Sequence, residues 1–458
     1  MLSLLEIAER TQKGPKVEEK QWDLGLFAKM SQLVKKYEIT LPKEKYHPWF
    51  NEDDSLVDRA FQAAVEFLTE KGVYCLSTGR VVQFSEEEVR QAIAEAPNYV
   101  LMGEGRDRRV FKQQQIDGQG PLNFCPGHHA PFTEDLASLV VKNFAQIHRT
   151  DFIEGFNFPV IDGREIFGLP LEAYAAKREI AWMREGVRKA GRPGLAIVLY
   201  PITTRAAALM APIDPVSGLR PTDGILLSIL PDVKIEHDLL TAAIAYEDYG
   251  CFRLSGSFAL AGGFCGGVEG ALIEGIVKPL AAMMCYHDWI SYTGVEHVQT
   301  LSAMKIPLQP LNFARSVVNQ VLNTKTNTVC MAWIIPTSGP CTENSLLEIA
   351  IRCIEAPING ANLYAPRHSR ARINAGQTPV EAEWMLEISD AAVRSGLTRE
   401  NSSEILWKIA EKLEGRQPEA GQTIQECYDL VKHEPSPEYR EIYLKVKEDL
   451  TSLGLDFG

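Results

Sequence analysis

The chain has 458 residues, of which 45% are hydrophobic and 23% charged, a globular composition with enough length for a large buried core. Its formal net charge of −13 argues against unspecific binding to nucleic acid or to an anionic membrane. Nine scattered cysteines, an acidic opening in place of a signal peptide and the lack of an apolar stretch of transmembrane length predict a cytoplasmic protein.

Residues 1–115 are predicted to form a mainly helical extension. Its three helical segments, with apolar residues at three- and four-residue spacing, are Leu24–Tyr37, Leu56–Lys71 and Ser85–Ala96. Ser85, followed by Glu88, is a capping-box pattern for the last of them. Two apolar runs before that helix, Gly72–Ser77 and Val81–Phe84, are compatible with a small hairpin.

Between residues 116 and 400, short apolar runs alternate with helical segments. The candidate strands are Leu122–Phe124, Phe152–Phe156, Leu195–Leu199, Ile225–Leu230, Cys251–Phe258, Ile290–Thr293, Val329–Ile335 and Ala361–Tyr364. Eight alternations of strand and helix predict an α/β fold, a (β/α)8 TIM barrel. Residues 401–458 are predicted to form a charged helical tail packed on the barrel.

The loops that follow the strands of a barrel form its functional face. Glu296 and His297 come directly after the sixth strand, where a carboxylate beside an imidazole could handle protons. A structural role for the histidine is the competing interpretation. Asn157, just after the second strand, adds a polar group at the same end of the predicted barrel.

Aromatic side chains also fall at or near predicted strand ends. They are Phe124, Phe156, Phe158, Tyr200, Tyr292 and Trp333. Several aromatic rings that converge on one barrel mouth could enclose a cationic methylammonium group by cation–π attraction. For any single one of them, ordinary packing in the barrel is the favoured interpretation.

Cys125, His128 and His129 in the loop after the first strand suggest a metal site. Zinc takes at least three protein ligands in a tetrahedral array, and adjacent histidines on a loop rarely both face one ion. We therefore expect no tightly bound metal, and we interpret His128 and His129 as hydrogen-bonding residues at the mouth.

The sequence resembles the monomethylamine:corrinoid methyltransferases over nearly its whole length. The similar stretches are Gln21–Leu24, Gly72–Cys75, Gly105–Asp107, Gly191–Gly194, Gly262–Glu269, Ser338–Glu348, Val380–Glu387, Gly421–Asp429, Ser436–Tyr439 and Leu453–Leu455. The resemblance implies a (β/α)8 barrel and a homo-oligomer, a hexamer in that family. It also implies that the corrinoid (cobalamin) is supplied by a partner protein docked over the barrel mouth.

The chain differs from that family where the chemistry takes place. The family carries pyrrolysine on the strand after Gly-Arg-Pro-Gly, and counting four residues past Gly194 leads to Val198. Trp333 and Ile335 replace polar and tyrosine side chains around pyrrolysine, and Gly256, or a residue near it, stands where the family has a carboxylate. His297 matches a family histidine. The resemblance therefore implies a methyltransferase that lacks the pyrrolysine site.

We interpret the chain as a pyrrolysine-free methyltransferase that moves a methyl group from a small methylated compound, preferably a quaternary or other methylated amine, to a corrinoid protein. The expected catalytic residues are His297, Glu296 and Asn157. The expected substrate-binding residues are Trp333, Tyr200, Phe156, Phe124, His128, His129 and Val198. Two alternatives stay open: a metal-assisted O-demethylase that uses Cys125, His128 or His129, and a non-catalytic homologue that binds a corrinoid protein.

Overall fold

The computed structural model describes residues 1–127, 132–155, 158, 160–200, 203–256, 258–297, 310–368 and 376–458, and of His297 the backbone only. Eight parallel strands form its largest sheet. They are β1 (Phe124–Cys125), β2 (Phe152–Glu154), β3 (Ala196–Leu199), β4 (Gly224–Leu226), β5 (Phe252–Gly256), β6 (Ile290–Thr293), β7 (Val329–Ile334) and β8 (Asn362–Pro366).

A helix follows each of these strands. The eight helices are α1 (Glu134–Gln146), α2 (Leu169–Lys189), α3 (Ala206–Met210), α4 (His237–Tyr249), α5 (Val268–Tyr286), α6 (Leu311–Lys325), α7 (Glu343–Ile358) and α8 (Pro379–Arg394). The strand order in the sheet is β1-β8-β7-β6-β5-β4-β3-β2, so strands that follow one another in the chain are neighbours. The N–H of Asp151, just before β2, donates to the carbonyl of Phe124 in β1 (2.9 Å), which joins the two ends of this order. The predicted (β/α)8 barrel is confirmed.

The chain forms two compact units. The first contains residues 1–100, 226–297 and 310–331, and the second contains residues 101–225 and 332–458, apart from the gaps given above. These boundaries differ from the predicted division at residues 115 and 400, which stays a prediction. Across the parts of the chain that the structure describes, no helix is long and apolar enough to cross a membrane.

The first unit contains the helices that precede the barrel. They are Leu4–Lys13, Glu19–Lys36, Asp54–Glu70 and Glu86–Glu95. The last three were predicted, and the Ser85–Glu88 capping box is present. The predicted hairpin pairs Val73–Cys75 with Arg80–Val82. Val73–Cys75 also pairs in parallel with Lys234–Ile235, a long-range contact that local sequence does not reveal.

The second unit contains the helices of the C-terminal tail, which are Ser403–Leu413, Ile424–Cys427 and Pro437–Ser452. The hydroxyl of Tyr439 on the last of them donates to Glu381 of α8.

The remaining short elements are distributed over both units. They are the strands Tyr99–Met102, Arg109–Lys112, Val160–Ile161, Arg164–Glu165, Ala259–Ala261, Val295–His297, Tyr428–Asp429 and Glu434–Pro435, and the 3-10 helix Gly105–Asp107.

The loop between β7 and α7 is held by a buried carboxyl group. Glu348 of α7 accepts hydrogen bonds from the backbone N–H of Thr337, from the Thr337 hydroxyl (2.9 Å) and from the Ser338 hydroxyl (3.1 Å). Burial raises the pKa of Glu348 to about 7 even though these hydrogen bonds lower it. At mildly acidic pH the folded protein therefore keeps a proton that the unfolded chain loses.

We predict that Glu348→Gln flattens the pH dependence of stability. Between pH 4.5 and 7 the unfolded chain loses this proton first, so the free energy of unfolding of the wild-type protein falls as the pH rises, by up to about 3 kcal/mol. Urea denaturation at pH 5, 6 and 7.5 measures this slope. The exposed Glu441→Gln is the control and should keep the wild-type slope. An unchanged slope in Glu348→Gln would contradict the prediction.

Candidate functional site

The register of three neighbouring strands sets the surroundings of Val198. Glu154 in β2 is paired with Val198 in β3, and Val198 is paired with Gly224 in β4. Paired residues of parallel strands project from the same face of a sheet. Val198 and Glu154 are both completely buried, so an apolar side chain and a carboxylate lie side by side.

The Glu154 carboxylate is held by a tyrosine of another strand. The hydroxyl of Tyr364 in β8 donates a hydrogen bond to it, and Tyr364 is completely buried as well. In the sheet, β1 separates β8 from β2, and Cys125 of β1 is paired with Tyr364. The hydrogen bond therefore passes over β1 on the face that Cys125 shares, and that face is the barrel interior.

Cys125 lies close to this carboxylate. Its thiol is completely buried, and burial raises its pKa well above the usual range, with the negative charge of Glu154 acting in the same direction. Cys125 is therefore held as a neutral thiol, which is a poor nucleophile and a poor metal ligand until it loses its proton.

A second carboxylate reaches the end of β2 from helix α2. Glu179 is completely buried, and a β-carbon at Gly155 would overlap one of its carboxylate oxygens. The same β-carbon would lie 3.2 Å from the backbone nitrogen of Tyr200. The N–H of Gly155 donates to the carbonyl of Val198 (2.9 Å). Gly155 thus lets a helix carboxylate approach the ends of β2 and β3.

Tyr200 lies among these charges at the end of β3. Burial raises the pKa of its hydroxyl, a hydrogen bond from the Arg367 guanidinium and its positive charge lower it, and the charges of Glu154 and Glu179 raise it. The phenol therefore stays protonated. Arg367 directly follows β8, and its backbone N–H donates to the carbonyl of Ile334 (2.8 Å).

Five residues of the second unit thus meet at the carboxyl ends of β2, β3 and β8. We call Glu154, Glu179, Tyr200, Tyr364 and Arg367 the acidic cluster. It contains two carboxylates, two phenols and one guanidinium, so it is suited to holding a cationic group in a buried environment.

Of the residues predicted from sequence, Tyr200 belongs to the acidic cluster and Val198 adjoins it. Phe124 is completely buried, and the alternation along β1 places it on the face opposite to Cys125. Trp333 in β7 is 6% exposed, and its carbonyl accepts a hydrogen bond from Arg352 (3.1 Å). The substrate-binding roles of Phe124 and Trp333 stay predictions.

Several predicted residues lie outside the described residues, and their roles stay predictions. They are His128, His129, Phe156 and Asn157. Within the described ranges, no group of three or more His, Cys, Asp or Glu side chains is arranged to hold a metal ion. The neighbour of Asn157 that is described, Phe158, packs against Trp182 with ring centroids 4.9 Å apart.

Glu296 and His297 belong to the first unit. Their strand, Val295–His297, pairs in parallel with Ala259–Ala261. The Glu296 carboxylate lies 3.4 Å from the guanidinium of buried Arg315, so it takes part in an ion pair. The proton-handling role of the Glu296–His297 dipeptide stays a prediction.

The space above Gly256 in the same unit is filled by a tyrosine. Gly256 in β5 is paired with Tyr292 in β6, and a β-carbon at Gly256 would overlap the Tyr292 hydroxyl. A carboxylate side chain therefore does not fit at position 256 while Tyr292 keeps this conformation.

Sequence analysis did not assign four members of the acidic cluster: Glu154, Glu179, Tyr364 and Arg367. Glu154 carried a usable signal, because a charged residue at the end of the apolar run Phe152–Ile153 is unusual in a buried strand. Glu179 carried none, since a glutamate within a long amphipathic helix normally faces solvent.

The chain is similar to known proteins over nearly its whole length. The family described as "Monomethylamine methyltransferase MtmB" matches residues 2–455. Monomethylamine methyltransferase MtmB2 of Methanosarcina acetivorans is 28% identical over 457 residues, which cover 98% of this chain and 97% of the relative. Monomethylamine methyltransferase MtmB of Methanosarcina mazei is 27% identical over 455 residues, with the same coverage.

Solved structures show the same fold. The crystal structure of the Methanosarcina barkeri monomethylamine methyltransferase MtmB superimposes with a TM-score of 0.89 at 24% sequence identity, over 99% of this chain and 98% of that one. The crystal structure of the hydroxylamine MtmB complex gives a TM-score of 0.88 with the same identity and coverage. Because the family match extends over almost the entire chain, this protein belongs to the monomethylamine methyltransferase MtmB family.

Proposed function

We propose that this protein transfers a methyl group from a cationic methylated amine to the cobalt of a partner corrinoid protein, without pyrrolysine. The observation that carries the proposal is the position of Val198 beside the buried Glu154 carboxylate, at the carboxyl end of the barrel strands. An apolar residue stands where the family resemblance implies pyrrolysine, and the groups around it are anionic and phenolic.

The charges of the acidic cluster support a cationic donor. Burying a carboxylate is strongly unfavourable unless hydrogen bonds or an opposite charge compensate for the lost hydration. Tyr364 donates to Glu154, and Arg367 provides one positive charge beside Tyr200, on which the charges of Glu154 and Glu179 also act. A methylated ammonium group would provide a second positive charge, whereas a neutral ether or thioether would provide none.

A quaternary ammonium is the donor that these residues can serve most simply. Its nitrogen is already cationic and leaves as a neutral amine when the methyl group passes to cobalt(I), so no proton has to be supplied. Positioning and exclusion of water can then promote the transfer. Monomethylamine is a poorer electrophile, and we expect it to be a poor donor in the absence of pyrrolysine.

An O-methyl donor fits the described residues less well. Its leaving oxygen needs an acid or a metal ion. Tyr200 is a candidate acid in the acidic cluster, but burial raises the pKa of its hydroxyl, which weakens it as a proton donor. The metal-assisted alternative depends on His128 and His129, which lie outside the described residues.

The remaining parts of the proposal concern the protein's surroundings. We propose a cognate corrinoid protein as partner and source of the corrinoid, no tightly bound cofactor on this chain, and a homo-oligomeric assembly. All nine cysteines are free thiols in the structure, which supports a location in the reducing cytoplasm.

The proposal is tested by incubating the protein with a corrinoid protein in the cob(I)alamin state and a panel of N-, O- and S-methyl compounds. The absorbance change on cobalt methylation is measured. We expect a quaternary ammonium to be the best donor and monomethylamine to give little product. Efficient methylation from monomethylamine would refute the pyrrolysine-free chemistry, and no methylation from any compound would favour the non-catalytic homologue.

Val198→Ala in the same assay tests whether Val198 is only a packing residue. The loss of buried methyl groups should lower the free energy of unfolding by about 0.5–1.5 kcal/mol, while turnover stays within a few-fold of wild type. Denaturant titration gives the first quantity. A folded variant without turnover would show that Val198 takes part in the chemistry.

A separate prediction concerns Trp333. A cation above an indole face gains roughly 0.5–2 kcal/mol, and more where water is excluded. Trp333→Ala should therefore weaken tetramethylammonium binding by about ten-fold or more in calorimetric titration, whereas Trp333→Phe should keep part of it. A neutral carbon isostere should bind wild type poorly. If the isostere binds as well as the cation, the pocket is merely hydrophobic.

A further inference from the structure

The position of Glu179 has a specific structural origin. Its helix, α2, is anchored beside the end of β2 by an aromatic contact: the ring of Trp182 packs against Phe158 (4.9 Å between centroids) and beneath the guanidinium of Arg178 (4.8 Å). Phe158 lies in the segment that links β2 to α2. These contacts fix the stretch of helix that carries Glu179 next to the strand end.

Gly155 provides the space that Glu179 occupies. The backbone of Gly155 does not have a positive φ, so φ does not require a glycine there. Its missing side chain is needed for another reason, because a β-carbon there would overlap the Glu179 carboxylate. Any other residue at position 155 would displace this carboxylate from the strand end.

The charge of Glu179 affects Tyr200, a member of the acidic cluster. It raises the pKa of the Tyr200 hydroxyl, as the charge of Glu154 does, so both carboxylates influence the same phenol. Glu154 reaches this position from the barrel strand, whereas Glu179 reaches it from the helix layer through the gap at Gly155. Glu179 therefore adds a second negative charge to that of Glu154 near the Tyr200 hydroxyl.

We infer that Glu179 determines specificity for a positively charged methyl donor, and that Gly155 is the positioning residue that admits it. The inference rests on the proposed function. It names the residue that would make the site prefer a cationic donor. Glu179 does not exchange a proton with the donor. It lowers the energy of any cation in the acidic cluster relative to a neutral molecule of the same shape.

The experiment compares the binding of tetramethylammonium and of a neutral carbon isostere by calorimetric titration of the full-length chain. Glu179→Gln keeps the shape of the side chain and removes its charge. Gly155→Ala keeps the charge and displaces it. Each variant should bind tetramethylammonium at least about ten-fold more weakly than wild type, while its weak binding of the isostere stays unchanged.

A double variant and a control separate this role from general damage. Glu179→Gln combined with Gly155→Ala should bind the cation no more weakly than Glu179→Gln alone, because both changes remove the same interaction. Glu185→Gln is the matched control, since Glu185 is exposed on the same helix and is paired with Lys189. It should bind both ligands as wild type does.

Two adverse results have different meanings. If wild type binds the cation and Glu179→Gln, folded by circular dichroism, binds it equally well, the role of Glu179 is refuted and the proposed function stands. If wild type does not bind tetramethylammonium, both the role of Glu179 and the cationic donor of the proposed function are refuted. If Glu179→Gln does not fold, the binding of both ligands by Gly155→Ala is compared with that of wild type. Equal binding of the cation by this variant then refutes the role of Glu179.

Discussion

The hydrogen bond from Tyr364 to Glu154 is the interaction on which the site depends. It connects β8 with β2 over β1, so it forms only when the strands near the closure of the barrel have their observed register. A shift of one residue in β2 or in β8 would turn one of the two partners to the other face of the sheet. The bond also holds a completely buried carboxylate, which would be unfavourable in the core without such a donor. The register of the barrel strands therefore determines both the fold and the position of the buried carboxylate in the site.

In our proposal the barrel of this family supports a different chemistry, because its scaffold and its site depend on different residues. The family match and the superposition extend over almost the whole chain, so the strands, helices and their order are those of the MtmB proteins. The interior, however, carries small or apolar residues at two positions where the resemblance implies functional groups, Val198 and Gly256. At Gly256 the neighbouring Tyr292 fills the space. In our proposal the acidic cluster compensates by binding a donor that needs less activation.

Buried ionisable groups serve two different purposes in the second unit. Glu348 holds the loop after β7 through three hydrogen bonds, and burial raises its pKa to about 7, so its role is structural and depends on pH. Glu154 and Glu179 instead surround a phenol at the strand ends, where a ligand of a barrel protein binds. Burial alone does not distinguish the two kinds of carboxyl group. The hydrogen-bond donors differ, because Glu348 is held by groups of a loop and Glu154 by a tyrosine of a barrel strand.

The sequence by itself determined the architecture, because apolar runs and helical spacing are local properties. All eight barrel strands, their helices, the Ser85 cap and the small hairpin were predictable in this way. The helix Leu4–Lys13 and the pairing of Val73–Cys75 with Lys234–Ile235 were missed. Only the tertiary structure brought Glu154, Glu179, Tyr364 and Arg367 together, since these residues come from two strands, a helix and a loop that are up to 213 positions apart. Proximity of this kind depends on barrel closure and on the gap at Gly155, and neither leaves a periodic pattern in the sequence.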